Sequence, residues 1–274
     1  MQLGEQAAEF RRRGYGVAAL TYDSVELLSN FQRQYELRYT LLSDPESKVI
    51  RAFDILNDQI PKGHEWYGVP NPGMYLIDPQ GIVRAKFFEE SVVERYTAAS
   101  VLHYIDDEDG KVSGRVETGH LKVIMSASDY KVRPGNRVTL ILHIELKPGL
   151  HVYAPGVKGG YKPLRWDVRR SIGWKLHDVR FPQPRTLELP VLHEVLPVYE
   201  GSFLLSRDIT LGQLEQLVQV VKANGELLIH GTLRYQACND KECFPPQKVP
   251  LKWTLRGQRH DPRRAPPELR KSGK

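Results

Sequence analysis

The sequence predicts an α/β domain followed by an all-β sandwich, on three observations. Over the first hundred residues, helix-period segments alternate with short apolar runs. Past about Gly119 the pattern becomes period-two, with turns at short intervals and almost no helical signal. Between them DDEDGKVSG, residues 106–114, is charged and glycine-containing, which suits a linker. The expected division is therefore 1–105, a linker at 106–118, a sandwich at 119–255 and a basic tail at 256–274.

Residues 1–13 read as a helix with Leu3, Ala7 and Phe10 on one face, stopped by Gly14. YGVAALTYD, 15–23, has the length and branching of a buried strand. A second helix is expected over 24–35, capped by Asp23 or Ser24, with Leu27, Leu28 and Phe31 inward. LLSDPESKVIRAFDI reads as a turn and a short helix, followed by a Gly/Pro-rich loop to Pro72. MYLI, the DPQG turn and 83–88 form a hairpin, and 91–105 a closing helix carrying Val92, Tyr96, Ala99 and Leu102 or His103. In the second half LKVIMSASDY, RVTLILHIEL, LHVYA, LRWDV, WKLHDVRF, SFLLSRDI, ELLIHGTLRYQA and KVPLKWTL each read as a strand. LGQLEQLVQVV is either one helical turn or a covered edge strand.

At 41% hydrophobic and 9% aromatic residues, the 274-residue chain can bury two cores. No run of 18 apolar residues occurs, and MQLGEQAAEFRRRG lacks the apolar core of a secretory leader. The net charge of +6 is not a nucleic-acid signal. Seven of the 39 Lys/Arg but only two of the 33 Asp/Glu fall in the tail, RGQRHDPRRAPPELRKSGK, and the body is close to neutral. That tail is expected to be disordered, serving as a solubiliser or linker, with anion binding the lesser reading.

The two cysteines, Cys238 and Cys243 in RYQACNDKECFPPQKVPL, allow three chemistries. Zinc wants four ligands, and His230 and His260 do not stand at ligand spacing, so no metal is expected. A structural disulfide closing so short a loop gains only about 2 kcal/mol, against about 4 to 5 for a long one. A thiol-exchange pair would work through a mixed disulfide, with Lys241 favouring a thiolate and Asp240 and Glu242 opposing it. These residues do not say which sulfur attacks. His64, Glu65 and Trp66 read as a surface loop. No phosphate cradle, triad pattern or paired-carboxylate motif stands out, and no cofactor is called for.

EFRRRGYGVAALTYDS, YTLLSDPESKVIRAFDI and VPNPGMYLIDPQGIVRAKFFE, in this order and spacing, resemble the thioredoxin-like redoxins of the peroxiredoxin (AhpC/TSA) type over 1–105. The resemblance implies that Pro72 is a cis-proline facing an active site, although Asn-Pro replaces the Arg-Pro or Thr-Pro usual there. It also implies a first strand and a reactive cysteine at the start of the first helix. This sequence begins inside that helix and has no cysteine in 1–237. The expectation is a start further upstream, or else a scaffold that closes its sheet differently.

PGLHVYAPGVKGGYKPLRWDV, GWKLHDVRFPQP, YEGSFLLSRDITL and above all YQACNDKECFPP with KVPL resemble the N-terminal periplasmic domain of DsbD-type thiol:disulfide interchange proteins, an immunoglobulin-like sandwich. This resemblance implies a redox-active Cys238/Cys243 pair with Cys243 as nucleophile, and Tyr153 near it. Tyr235, Phe244 and Pro245 would shield the pair or shape a docking surface. It also implies thioredoxin-fold partners, with a membrane protein as electron donor and the redoxin domain of the same chain as a candidate acceptor. The location would be the periplasm or another extracytoplasmic space. Two other readings stand beside it: an inert immunoglobulin-like interaction module with a structural disulfide, and a piece of a peroxidase whose reactive cysteine lies upstream of Met1.

Overall fold

The structure is a computed structural model describing residues 2–89, 93–106, 110–189, 194–239 and 241–259. The chain divides into two compact units, 1–102 and 103–274. The expected position of Val92, the Asp240 charge, His260 and most of the basic tail lie outside the described residues.

The first unit runs α1 (Gln2–Arg12), β1 (Ala18–Thr21), α2 (Val25–Gln34), β2 (Thr40–Ser43), α3 (Lys48–Ala52), β3 (Gly73–Ile77), β4 (Val83–Phe88) and the short β5 (Arg95–Tyr96), with α4 spanning Ala98–Asp106. β1 and β2 pair in parallel, Ala18 opposite Thr40, and β3 and β4 pair as an antiparallel hairpin. Among the described residues no strand joins these two-stranded sheets. Ala7 of α1 packs with Leu37 and Tyr39, flanked by Leu3, Ala19, Phe31 and Leu41. Ser24 caps α2, its Oγ accepting from the Leu27 amide at 3.3 Å, and leaves Leu27 itself on the solvent side, 54% exposed, whereas Leu28 is buried. Asp44 caps α3 by accepting from the Lys48 and Ile50 amides, each at 2.9 Å. In the DPQG turn Asp78 Oδ1 accepts from the Gln80 and Ile82 amides at 3.0 and 2.8 Å, and Gly81 takes φ 81°, a left-handed value that glycine adopts without steric cost.

Three expectations are corrected here. TLLS is a strand, because residues 40–43 hydrogen-bond to β1 rather than merely leading into a turn. The closing helix starts at Ala98, not at residue 91, after the short extended pair Arg95–Tyr96. The peptide before Pro72 is trans, as is every described peptide. An X–Pro bond prefers trans by about 0.5–1 kcal/mol unless its surroundings hold it otherwise. Here Asn71 ties the loop down in the trans form, its amide donating to Ile55 O at 2.6 Å and its Nδ2 to Leu56 O at 3.2 Å.

The second unit contains β6 (Lys111–Glu117), β7 (Leu121–Ala127), β8 (Lys131–Val132), β9 (Asn136–Leu146), β10 (His151–Tyr153), β11 (Arg165–Val168), β12 (Trp174–Arg180), β13 (Arg185–Leu189), β14 (Glu194–Glu200), β15 (Ser202–Leu211), α5 (Leu214–Leu217), β16 (Glu226–Tyr235), β17 (Ala237–Cys238) and β18 (Gln247–Gly257). One sheet runs β12-β15-β9-β7-β6 and a second β11-β16-β18-β8. The stretch expected as a linker at 106–118 is instead largely β6, paired with β7 from Lys111 opposite Ala127 to Glu117 opposite Lys122. Its charged side chains sit on an edge strand, which is where polar strands are tolerated.

The core lies between these two sheets and includes Val123, Leu140, Leu142, Leu205 and Ile209 from one, with Ile229, Leu233, Leu251 and Trp253 from the other. Trp253 stacks on Trp166 with ring centroids 5.6 Å apart, and its Nε1 donates to Ser126 O at 2.8 Å. Gly231 permits this stack: a Cβ there would stand 2.8 Å from Asp167 O and 3.2 Å from the Trp253 ring. On the first sheet Asp208 is buried, accepting from Arg180 Nη1 and Nη2 at 2.9 Å each, Thr139 Oγ1 at 2.8 Å and Arg137 Nε at 3.2 Å. Burial alone would raise its carboxyl, but the Arg180 bonds and charge, Thr139 and Arg137 hold it below the ordinary aspartate value. A third, smaller sheet, β13-β14-β10-β17, carries the cysteines.

Candidate functional site

Cys238 ends β17, and Cys243 faces it across an isolated antiparallel bridge. The two form a disulfide with Cα atoms 4.0 Å apart. The turn between them is built by Asn239. Its Oδ1 accepts from the Lys241 and Glu242 amides, each at 2.8 Å, and its own amide donates to Glu242 O at 2.9 Å. Beyond the turn, the Phe244 amide donates to Ala237 O at 2.8 Å, and Gln236 Nε2 donates to Phe244 O at 3.1 Å. The backbone around the sulfurs is therefore held by hydrogen bonds that do not involve them.

The two cysteines differ in access. Cys238 is 1% exposed, while Cys243 lies on the exposed side of the turn with Lys241, Glu242 and Pro245. Of the two half-cystines, Cys243 is the residue open to solvent.

Tyr153, 2% exposed, points its hydroxyl at Cys243 Sγ, 3.7 Å away. A disulfide sulfur carries no proton, so the tyrosine donates. Burial raises the Tyr153 hydroxyl above its ordinary value and the Glu194 charge adds to the rise, which keeps the donor protonated. Behind it the Tyr161 ring lies tilted against it with centroids 4.5 Å apart, and its hydroxyl donates a bond to Glu194 Oε2; that bond, then burial, pushes the Tyr161 hydroxyl up to about 12.

Phe244 packs against the sandwich core and tilts over the His120 ring at 4.7 Å. Tyr235, expected to shield the pair or shape a docking surface, is instead 2% exposed within the core, its hydroxyl 2.8 Å from Thr118 Oγ1 and 3.4 Å from His120 Nδ1. It ends a long central strand opposite Gln247 of β18, with the Thr118 hydroxyl and the His120 ring packed at its own hydroxyl end. Pro245 is exposed beside Cys243. Pro72 belongs to the first unit. His64 accepts from the Trp66 amide at 3.1 Å in an exposed loop, and His230 stands opposite Lys252 in mid-strand. The sequence alone did not single out His120, Thr118, His151, Tyr161 or Glu194. The Tyr161–Glu194 pair is 33 residues apart and is joined only by folding.

Residues 1–86 match the model of the AhpC/TSA family, and residues 122–252 that of the N-terminal region of thiol:disulfide interchange protein DsbD. A relative from Coxiella burnetii (strain RSA 493 / Nine Mile phase I) that carries the name peroxiredoxin bcp is 28% identical over 78 residues, which are 28% of this chain and 51% of that protein. The chain thus spans about half the length of this curated relative. Among solved structures, the N-terminal periplasmic domain of ScsB from Proteus mirabilis superposes with a TM-score of 0.37 at 14% identity, covering 54% of this chain and 52% of that one. The reduced DsbD N-terminal domain of Neisseria meningitidis gives 0.28 at 16% identity, covering 43% and 78%. Both superpositions are loose. The N-terminal region of this chain resembles the AhpC/TSA redoxins, and its C-terminal region, which bears the disulfide, resembles the N-terminal domain of DsbD-type thiol:disulfide interchange proteins.

Proposed function

We propose that the sandwich exchanges disulfides with thioredoxin-fold partners through Cys238 and Cys243, in an extracytoplasmic space. The observation that carries this is the unequal exposure of the two cysteine residues: Cys243 exposed, with its sulfur touched by a tyrosine hydroxyl, and Cys238 buried. A purely structural staple gains nothing from presenting one sulfur to solvent, and so short a loop contributes only about 2 kcal/mol.

In the reducing direction, a thiolate of a dithiol donor attacks Cys243 Sγ. The Cys238–Cys243 bond breaks, its electron pair leaves on Cys238, and a mixed disulfide joins Cys243 to the donor. The donor's second thiolate then attacks the donor sulfur of that bond and releases Cys243 as a thiolate. The donor ends oxidised and the pair reduced. Run in reverse against an oxidised thioredoxin-fold acceptor, Cys243 attacks and Cys238 resolves. Tyr153 stabilises the Cys243 thiolate as its hydrogen-bond donor. The acceptor in this reading is a redoxin domain, that of the same chain or of another.

Trapping tests the assignment. The Cys238→Ser variant, reduced and offered an oxidised thioredoxin-fold protein, is expected to accumulate a mixed disulfide at Cys243, whereas Cys243→Ser accumulates little. Equal trapping by both variants overturns the order of attack. No trapping by either, with a wild-type disulfide that resists excess dithiol, overturns exchange in favour of the inert module.

A further inference from the structure

The register of the small sheet places three chemically related side chains in one row. On β10, His151 is paired directly with Glu200 of β14 on one side and with Cys238 of β17 on the other. Directly opposed residues of antiparallel strands share a face, with Cβ atoms about 4.5–5.5 Å apart. The contacts on that face agree: His151 meets Tyr153 edge to face at 5.5 Å, Tyr153 clusters with Cys238, and Arg185 of β13 reaches Glu200 at 3.8 Å. A carboxylate, an imidazole and a disulfide sulfur thus stand in line, and the imidazole is 5% exposed beside a cysteine that is 1% exposed.

We propose that His151 is the proton partner of Cys238 in disulfide exchange, with Glu200 supporting its charged form. The inference rests on the exchange reading above and supplies what that reading lacks. When a thiolate attacks Cys243, the leaving electron pair settles on Cys238 at a site almost closed to water, where an unpaired thiolate is costly. An imidazolium one strand away stabilises it and can pass it a proton, leaving neutral histidine and a thiol. In the reverse direction neutral His151 takes the proton back as Cys238 becomes the attacking thiolate. A lower leaving-group pKa speeds the first step. Among the described residues, the charged and titratable groups that the strand register and ring contacts bring to the His151 face include Cys238, Glu200 with its partner Arg185, and Tyr153, with Tyr161 and Glu194 behind that tyrosine.

The test follows thiolate ultraviolet absorbance against pH in the full chain carrying Cys243→Ser, where Cys238 is the single thiol. Adding His151→Phe keeps a ring against Tyr153 and is expected to raise the Cys238 midpoint by about one pH unit or more, from the loss of a nearby opposite charge. Glu200→Gln, at a side chain 40% exposed, is expected to raise it by less and keeps the test readable if the phenylalanine variant misfolds. In the chain with both cysteines, His151→Phe should slow dithiol attack on Cys243 several-fold. Coincident titration curves for parent, His151→Phe and Glu200→Gln overturn the proposal. The two readings fail separately. Coincident curves alongside normal trapping at Cys243 remove the relay alone; shifted curves without trapping uphold the row and remove exchange.

Discussion

The two units answer the need to pair strand edges in opposite ways. In the first, β1 and β2 are four residues each, no side chain of either is buried, and their sheet and the β3–β4 hairpin are separate. In the second, β9 and β15 are eleven and ten residues long and pair in continuous register from Ser202 opposite Glu145 to Thr210 opposite Arg137, and β9 buries side chains on both faces. The first unit leans on helix and loop contacts around a small cluster, and the second on a core built from two full sheets. The difference teaches where chemistry can be held rigidly. The cysteines sit on a side sheet attached to the better-packed scaffold, and rigid elements hold a site more tightly than loops do.

Four substitutions sharpen or break that contrast. Trp253→Ala removes the largest fully buried side chain and its bond to Ser126 O, and should cost about 4 kcal/mol. Denaturant unfolding should then show the sandwich transition moving while that of the first unit stays; a shift of both would deny their independence. Asp208→Asn should cost about 3 kcal/mol by breaking a buried ion-pair cluster. The folded Asp208 carboxyl is lowered, so its contribution is fully present above the unfolded aspartate value near 3.9 and is lost as pH falls through the lower folded value. A pH series of melting temperatures should accordingly show a gap between wild type and variant at neutral pH that narrows under strongly acidic conditions. Ile50→Ala, at a wholly buried residue of the first unit, should cost about 2 kcal/mol, the low end for emptying such a site. Ser24→Ala, deleting the α2 cap, should cost about 1 kcal/mol and be visible only in the first unit's transition. If Ile50→Ala proved as damaging as Trp253→Ala, the first unit would be better packed than its strands suggest.

Much of the sandwich was legible because alternation survives wherever a strand has one wet face: β16 and β18 coincide with ELLIHGTLRYQA and KVPLKWTL. LGQLEQLVQVV supplies the single helical turn α5. β13 and β14 were hidden, since Pro182 and Pro184 read as a turn just before the edge strand β13, and Pro197 breaks the alternation within β14, which pairs with β13 on one side and β10 on the other. β6 was hidden because DDEDGKVSG is polar, although a polar edge strand looks the same as a linker when read without its partner. At the site, two cysteines in a short turn are visible in any sequence, but which sulfur is reachable is not, since exposure depends on how the turn lies on the sheet. His151 was unreadable for a related reason: 87 residues separate it from Cys238, and only strand register brings them opposite.

The turn built by Asn239 has one further consequence. Its amide contacts, together with the Phe244 amide on Ala237 O and Gln236 on Phe244 O, close the hairpin without help from sulfur. Opening the disulfide therefore need not unfasten the chain around it, and the oxidised and reduced forms can share one backbone. In the exchange proposed above, the reorganisation would then be confined to two side chains, and a partner would meet a surface that is already set.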